Sequence, residues 1–446
     1  MMKWTRITFA IVALTAVNLF LGFKLNLISA VEDSSAQKDD SYANIRLFTR
    51  VLETVRQGYV DGNKVTYQDL IYSALQGMLS SLDPHSQFMA PETFSDMRDS
   101  VQGEFGGVGI VISVRDNAIV IVSPMEDSPG SRAGLMPGDR IVKIDGKTTE
   151  NMQLGDVVKK LRGNPGEKVS ITVFHPKSKE MQEYDLTREI IKVDSVKDMN
   201  GKKEFPLTED KIGYIRVTQF NDPTDKEFST ALDKLEKQGM QGLIIDLRNN
   251  PGGLLDKAVD ICSAFIPAEQ TVVSTEGRDG SNRQVYKSKG GKKRADYPVA
   301  VLINGGSASA SEIVAGCLQD LKRAIVVGET SFGKGSVQSV LPNEDGSAIR
   351  LTTAKYYTPN RRVIHENGVT PDIIVPVTEQ EERELILSRM PSFEENAPAS
   401  PRKKPTDTQL ERAKDVIRGI QIFANRANAH APVAGSPSSP PPTANK

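Results

Sequence analysis

From Lys211 onward the chain alternates short apolar runs with glycine-bearing loops and amphipathic stretches. Ile212 to Val217, Gly242 to Leu247, Val299 to Ile303 and Ala324 to Val327 read as buried strands, while Leu254 to Phe265 and Glu312 to Leu321 read as helices. That order admits few architectures, and it predicts an α/β core of about 180 residues, assigned to residues 191–380.

Residues 101–190 have a different character. Gly106-Gly107-Val108-Gly109 opens the run Ile110-Val111-Ile112, and Ser128-Pro129 supplies an N-cap and a first-turn proline to a short helix that Gly134 ends. Pro137-Gly138 and Asp145-Gly146 suit tight turns. Leu154, Val157, Val158 and Leu161 make one apolar helical face closed by Gly163, and Val169, Ile171 and Val173 alternate as a strand. Residues 42–100 instead repeat Ile45, Phe48, Val51, Leu52 and Val55 at helical spacing, a pattern most economically used for helix packing or dimer contacts.

The two ends bound the compartment. Lys3 and Arg6 precede an apolar stretch from Ile7 to Phe23, so residues 1–31 are expected to be a signal peptide or an N-terminal membrane anchor, with the remainder extracytoplasmic. Ile28-Ser29-Ala30 is a poor cleavage site and leaves both forms open. Residues 381–428 form a charged region with an amphipathic helix from Thr408 to Phe423, and residues 429–446 read as a disordered Pro- and Ser-rich tail.

Composition removes several function classes. The 446 residues carry 56 basic and 57 acidic side chains, a balance with no pull toward nucleic acid. Cys262 and Cys317 sit in apolar helical stretches and read as buried inert thiols, with a single bridge left open. No cluster of His, Cys and carboxylates suggests a metal, and no cofactor is expected.

Three core segments carry chemistry when read together. The strand Gly242 to Leu247 empties into Arg248-Asn249-Asn250-Pro251-Gly252-Gly253, a corner where glycines let backbone N–H groups point into a site. Gly306-Ser307-Ala308-Ser309-Ala310-Ser311-Glu312 follows the next strand; Ser309 with Glu312 is also an ordinary capping box. Were Ser309 a nucleophile, an oxyanion would find the Ala310 N–H and one from Gly252 or Gly253. Of the histidines His85, His175, His365 and His430, none lies in a segment of catalytic character, which leaves Lys334 of Gly333-Lys334-Gly335-Ser336-Val337-Gln338 as the base. A lysine base must be neutral, and moving its pKa from about 10.4 to near 7 corresponds to about 4 to 5 kcal/mol. The loop agrees with that demand, since its nearest acid, Glu329, is five positions upstream. Gln338 falls on the same face as Lys334 in an extended strand and is placed to orient the amine.

Residues 101–190, above all the line from Ser128 to Asp139, resemble a bacterial-type PDZ domain. By that resemblance Gly107, Val108, Gly109 and Ile110 form the loop that holds a peptide carboxylate, and the helix containing Val157 flanks the groove. The larger combination resembles the C-terminal processing peptidases, or tail-specific proteases, over roughly residues 42 to 425. It joins Leu82-Asp83-Pro84-His85-Ser86, the PDZ segment, Asp246 to Gly253, the serine segment, Gly328 to Gln338, and Thr353-Ala354-Lys355-Tyr356-Tyr357-Thr358-Pro359. The resemblance implies a multidomain α/β protein: a crotonase-like β/α protease core, an inserted PDZ domain and helical N- and C-terminal segments. It implies Ser309 as nucleophile, a choice among Ser307, Ser309 and Ser311 that the residues alone leave open, with Lys334 as base and Gln338 as its partner. Arg162 matches an arginine linking peptide binding to the active site, although a helix-capping arginine explains it nearly as well. The implied partners are C-terminal tails of envelope proteins, an activator or adaptor, and a second copy in a homodimer. The rival reading is a non-catalytic PDZ scaffold of the cell envelope.

Overall fold

The computed structural model describes residues 41–62, 65–115, 118–125, 127–136, 138–150, 152–176, 178–280, 282–291, 294, 296–388 and 406–429. The expected leader at 1–31, Pro137 and the tail beyond Ala429 lie outside the described residues. The chain divides into two compact units at Leu82/Asp83. The first contains α1 (Ser41–Gly58) and α2 (Tyr67–Ser80), the latter N-capped by Thr66.

The second unit opens with β1 (Gln87–Met89), α3 (Pro91–Gln102) and β2 (Glu104–Gly107). Residues 83–100, read from the sequence as part of the helical N-terminal region, lie in the second unit. The physical reason is a set of long-range bonds: the Asp83 carboxylate ties the Ser86 hydroxyl and Thr352, and Gln87 to Met89 pair with Ala348 to Arg350.

Next come β3 (Ile110–Arg115), β4 (Ala118–Pro124), α4 (Pro129–Arg132), β5 (Arg140–Ile144), β6 (Lys147–Thr148), α5 (Leu154–Leu161), β7 (Lys168–His175) and β8 (Glu180–Thr187). Their antiparallel sheet runs β3-β4-β5-β7-β8 around a core that includes Val108, Ile121, Ile144, Val157 and Ile171. The strand alternation and the α5 stripe meet there, as their periods require. His175 is absorbed into this module, bridging Asp139 and the Tyr184 hydroxyl at 2.9 Å each.

The chain then returns through β9 (Glu189–Lys192), β10 (Val196–Lys197), β11 (Ile212–Val217), α6 (Thr224–Lys237), β12 (Gly242–Asp246), α7 (Leu255–Ser263), β13 (Thr271–Glu276), β14 (Gln284–Lys287), β15 (Val299–Ile303), α8 (Ala310–Asp320), β16 (Ile325–Gly328), β17 (Ser336–Pro342), β18 (Ala348–Tyr357), β19 (Ile373–Ile374), α9 (Glu379–Ser388) and α10 (Thr408–Ala429). One sheet has the order β10-β11-β12-β15-β16-β19 and is parallel from β11 to β19. Both faces are buried, so its strands are apolar throughout. Leu243 and Ile245 join the cluster containing Phe228 of α6, Ile261 of α7 and Val314 of α8, whereas Ile244 turns to Leu410, Ala413 and Ile417 of α10. A second, antiparallel sheet of β1, β18, β13 and β14, with β17 on β18, adds Val273 and Tyr356 to the first cluster.

Candidate active site

The three segments with chemical character leave the C-terminal ends of β12, β15 and β16, neighbouring parallel strands. Loops at that end of a parallel sheet converge, which is why such sheets bind ligands there. Here convergence is enforced by one side chain to backbone bond and two between backbones. Asn250 Nδ2 donates to the Val217 carbonyl at 2.8 Å, the Ala308 amide donates to the Asn250 carbonyl at 3.0 Å, and the Phe332 amide donates to the Ser307 carbonyl at 3.0 Å.

The three serines of the second loop differ sharply. Ser307 Oγ donates to the Leu247 carbonyl at 2.8 Å, and Ser311 Oγ to the Asn250 carbonyl at 3.0 Å; both side chains are fully buried. Ser309 is 7% exposed and sits at φ 54°, ψ −112°, a conformation that is costly for a residue with a side chain. Among the described residues its hydroxyl donates to no backbone carbonyl, unlike those of its two neighbours.

Beside Ser309 lies the glycine corner. A Cβ on Gly252, at φ 97°, would stand 2.6 Å from the Ala308 carbonyl oxygen and 2.7 Å from Ser309 Cβ, so only glycine permits the approach. The Gly252 amide donates to Asn250 Oδ1 at 2.9 Å and is occupied. The Gly253 and Ala310 amides donate to no acceptor among the described residues, and Ala310 opens α8, where an unpaired first-turn donor adds to the positive end of the helix.

Glu312 joins the serine and lysine loops. Fully buried, its carboxylate accepts the Ser309 amide at 2.7 Å, the Ser331 hydroxyl at 2.6 Å and the Gly333 amide at 2.7 Å. The capping box is thus real, but its carboxylate also anchors the other loop. Burial raises the Glu312 pKa, and these hydrogen bonds oppose the rise.

Lys334 stands just ahead of β17. Burial lowers its pKa, the Arg350 guanidinium lowers it further, and Glu312 opposes both. The expectation of a loop clear of acids therefore needs correction: Glu312 arrives from the first turn of α8, close in space though distant in sequence. His85 comes near Lys334 in the fold, and burial and then Lys334 hold its pKa below its usual value.

Among the described residues the Lys334 amine makes no hydrogen bond, to Ser309 or to Gln338. Gln338 Nε2 donates to Ser336 Oγ at 2.9 Å. The two-residue period expected from 334 to 338 fails because β17 begins only at Ser336 and its pairing with β18 shifts register between Val337 and Gln338.

In the β-rich module, β3 is an edge strand, and Val111 and Val114 on it are about half exposed. Val108 and Val157 are buried in the module core, and the Val108 and Gly109 carbonyls accept from Gly130 and Met125 at 2.8 Å each. Ile110 is half-buried at the start of the edge. Arg162 follows α5 as its C-cap, bridges to Gly107 and lays its guanidinium 4.6 Å over the Phe105 ring. Sequence reasoning missed Arg350 and Glu312 as partners of the site; Glu312 had been read as a cap alone.

Comparison with known proteins adds relatives. Residues 211–375 match the model of peptidase family S41, and residues 120–173 match a PDZ domain model. A carboxy-terminal-processing protease of Bartonella bacilliformis is 39% identical over 420 residues, covering 90% of this chain and 94% of that protein. A carboxyl-terminal-processing protease of Synechocystis is 38% identical over 361 residues, covering 80% and 79%. Among solved structures, the photosystem II D1 C-terminal processing protease aligns over 78% of this chain and 97% of its own at 30% identity, with a TM-score of 0.43.

Proposed function

Because this chain belongs to the S41 family of C-terminal processing serine proteases and contains a PDZ domain, we propose that it cleaves exported proteins near their C-termini with Ser309 as nucleophile and Lys334 as base. The observation that carries this reading is the corner at Ser309: a strained serine whose hydroxyl, among the described residues, donates to no backbone carbonyl, beside the Ala310 and Gly253 amides that find no acceptor there, fastened through Glu312 to the loop of a lysine whose pKa is depressed.

In this reading Ser309 Oγ attacks the scissile carbonyl while the neutral Lys334 amine takes its proton, and the oxyanion rests on the Ala310 and Gly253 N–H groups. Lys334 then protonates the departing amine, and water activated by the same lysine hydrolyses the acyl-enzyme. For this to happen the Lys334 amine must approach Ser309, and Gln338 must release Ser336 to orient it. The arrangement described above is then a resting one. The crotonase-like description of the core fits the parallel sheet with its flanking helices.

Substrate tails would add to the free edge of β3, with their carboxylate at Gly107 to Ile110. Arg162, touching both Gly107 and Phe105, is placed to relay that event. The apolar run after Lys3 and Arg6 supports export or anchoring, hence an extracytoplasmic site of action. An adaptor and a second copy are compatible partners.

The test uses protein lacking residues 1–30, an unstructured substrate with a free C-terminus, and the Ser309→Ala and Lys334→Ala variants. Cleavage by the parent and none by either variant is expected. Equal cleavage by both variants would sink the serine/lysine mechanism, and a parent that binds tails without cutting them would favour the scaffold.

A further inference from the structure

Asn304 follows the last residue of β15 and has no part in the mechanism above. Both ends of its side-chain amide are fully engaged. Oδ1 accepts the Asn249 amide at 2.8 Å and the Gly306 amide at 3.1 Å, while Nδ2 donates to Asn249 Oδ1 at 2.9 Å and to Glu382 Oε1 at 3.0 Å. Asn304 is 6% exposed, and its main chain is bound as well: its amide donates to Ser307 Oγ at 3.0 Å, and the Ser307 amide donates to its carbonyl at 2.9 Å. One side chain thus joins the glycine corner at Asn249, the serine loop at Gly306 and helix α9 at Glu382. The two loops are pressed together there. A Cβ on Gly306 would run into Asn249 Oδ1 and stand 2.9 Å from Asn249 Cα, and Asn249 itself holds φ 57°. Four residues beyond Asn249 stands Gly253, and four beyond Gly306 stands Ala310. Resting on the serine/lysine reading, we propose that Asn304, held from α9 by Glu382, is a positioning residue that fixes the separation of the Gly253 and Ala310 N–H groups that take the oxyanion.

An oxyanion hole works because its donors already stand where charge will develop. Here the two donors come from loops that leave different strands, so their spacing depends on bonds that cross between the loops. Asn250 supplies one set, its carbonyl taking the Ala308 amide and the Ser311 hydroxyl at 3.0 Å each. Asn304 supplies the other, nearer the strand ends. Only an amide can make this clamp: a carboxylate at 304 would keep the two acceptor positions and lose both donors, and an aliphatic side chain would leave the Asn249 and Gly306 amides without their acceptor. Glu382 reinforces the donor end, since a hydrogen bond to a carboxylate is about twice as strong as one to a neutral acceptor. A reacting group displaced by about 1 Å can cost about 100-fold in rate. That loss falls on the tetrahedral state, where the oxyanion exists, and leaves the binding of the intact substrate alone, so it appears in kcat rather than in KM.

Asn304→Asp keeps the shape and removes both donors. The expected result is a fall in kcat of about 10- to 100-fold with KM within about twofold of the parent, after correction for the folded fraction read from urea midpoints. A peptide aldehyde, which becomes a tetrahedral adduct of Ser309, should lose affinity by the same factor, whereas the matching peptide alcohol, which forms no adduct, should bind as it does to the parent. Glu382→Gln keeps an acceptor for Asn304 and should lower kcat by only about 2- to 5-fold. When Asn304→Asp and Glu382→Gln are combined, the introduced carboxamide donates to the introduced carboxylate, and kcat should recover by about tenfold over Asn304→Asp alone. Parent kcat in Asn304→Asp overturns the proposal, and so does a loss that merely follows the folded fraction with the aldehyde-to-alcohol affinity ratio unchanged. No recovery in the combined variant overturns the part given to Glu382. Ser309→Ala run alongside separates the two readings: if it still cleaves, the serine/lysine reading itself fails, and if it is dead while Asn304→Asp is unimpaired, only the role of Asn304 falls.

Discussion

At the scale of single residues, Lys334 is governed by what surrounds it. Burial and then the Arg350 guanidinium hold its amine below the ordinary value of 10.5, against the opposing Glu312 carboxylate. Arg350 is itself fixed, donating to the His85 carbonyl at 3.1 Å and to Gln87 at 2.9 Å. A base works in its neutral form, above its pKa, so kcat/KM should climb through an acidic limb lying below the ordinary lysine range. Arg350→Gln removes a like charge, raises the Lys334 pKa and should move that limb to higher pH, as a pH–rate profile with the parent as reference would record. His85, the other titratable neighbour, is held below its usual value and adds little charge near neutrality. Stability carries the same sign: a folded pKa below the unfolded one means the unfolded chain binds more protons, so Lys334 costs stability at neutral pH, and that cost fades as pH rises toward 10.5.

Much of this neighbourhood was hidden in the sequence. The Ser309 and Glu312 capping box was legible because both partners lie within one helical turn. The reach of Glu312 to Ser331 and Gly333 was not, because it depends on β15 and β16 being neighbours, which local pattern does not state. Choice among Ser307, Ser309 and Ser311 was likewise illegible: what differs is the backbone strain of one and the carbonyl partners of the other two.

At the scale of elements, the parallel strands could be read because burial on both faces makes them apolar throughout. Their order could not, and order is what brings three loops together. The helix expected over 408–423 is present and runs on to Ala429, and its buried stripe of Leu410, Ala413 and Ile417 covers the sheet face opposite α8. This helix is tied to the site's own corner by Arg248, which is bound by Asp246 at 2.7 Å and Asp407 at 2.8 Å. Ile417 is fully buried, so Ile417→Ala should cost about 2 to 5 kcal/mol, read as a lower urea midpoint. Since α10 backs the strands whose ends carry the active-site loops, activity should fall with the folded fraction and not before it. An unchanged midpoint would show that the helix contributes nothing to the core.

At the scale of the whole molecule, the chain joins a PDZ domain to an S41 peptidase core, and the proposed function assigns capture of a tail to the first and its cleavage to the second. The proposed division of labour has a measurable consequence, because in it the module recognises the terminal carboxylate and the core an internal peptide bond. Backbone N–H groups holding a carboxylate make charge-assisted bonds of about 1.5 to 3 kcal/mol each, which a carboxamide does not reproduce. Two substrates identical except for a C-terminal amide should therefore differ in KM by about 10- to 100-fold and agree in kcat at saturation, if the tail serves only for capture. If the tail also moves the Lys334 amine toward Ser309, the amide should lower kcat as well. Arg162 offers the discriminating variant, since it contacts Gly107 and Phe105 and leaves the chemistry untouched. With Arg162→Ala, a relay role predicts that the acid substrate's kcat drops to that of the amide, while a helix-capping role predicts that both substrates keep their parent values and only the stability of the module declines.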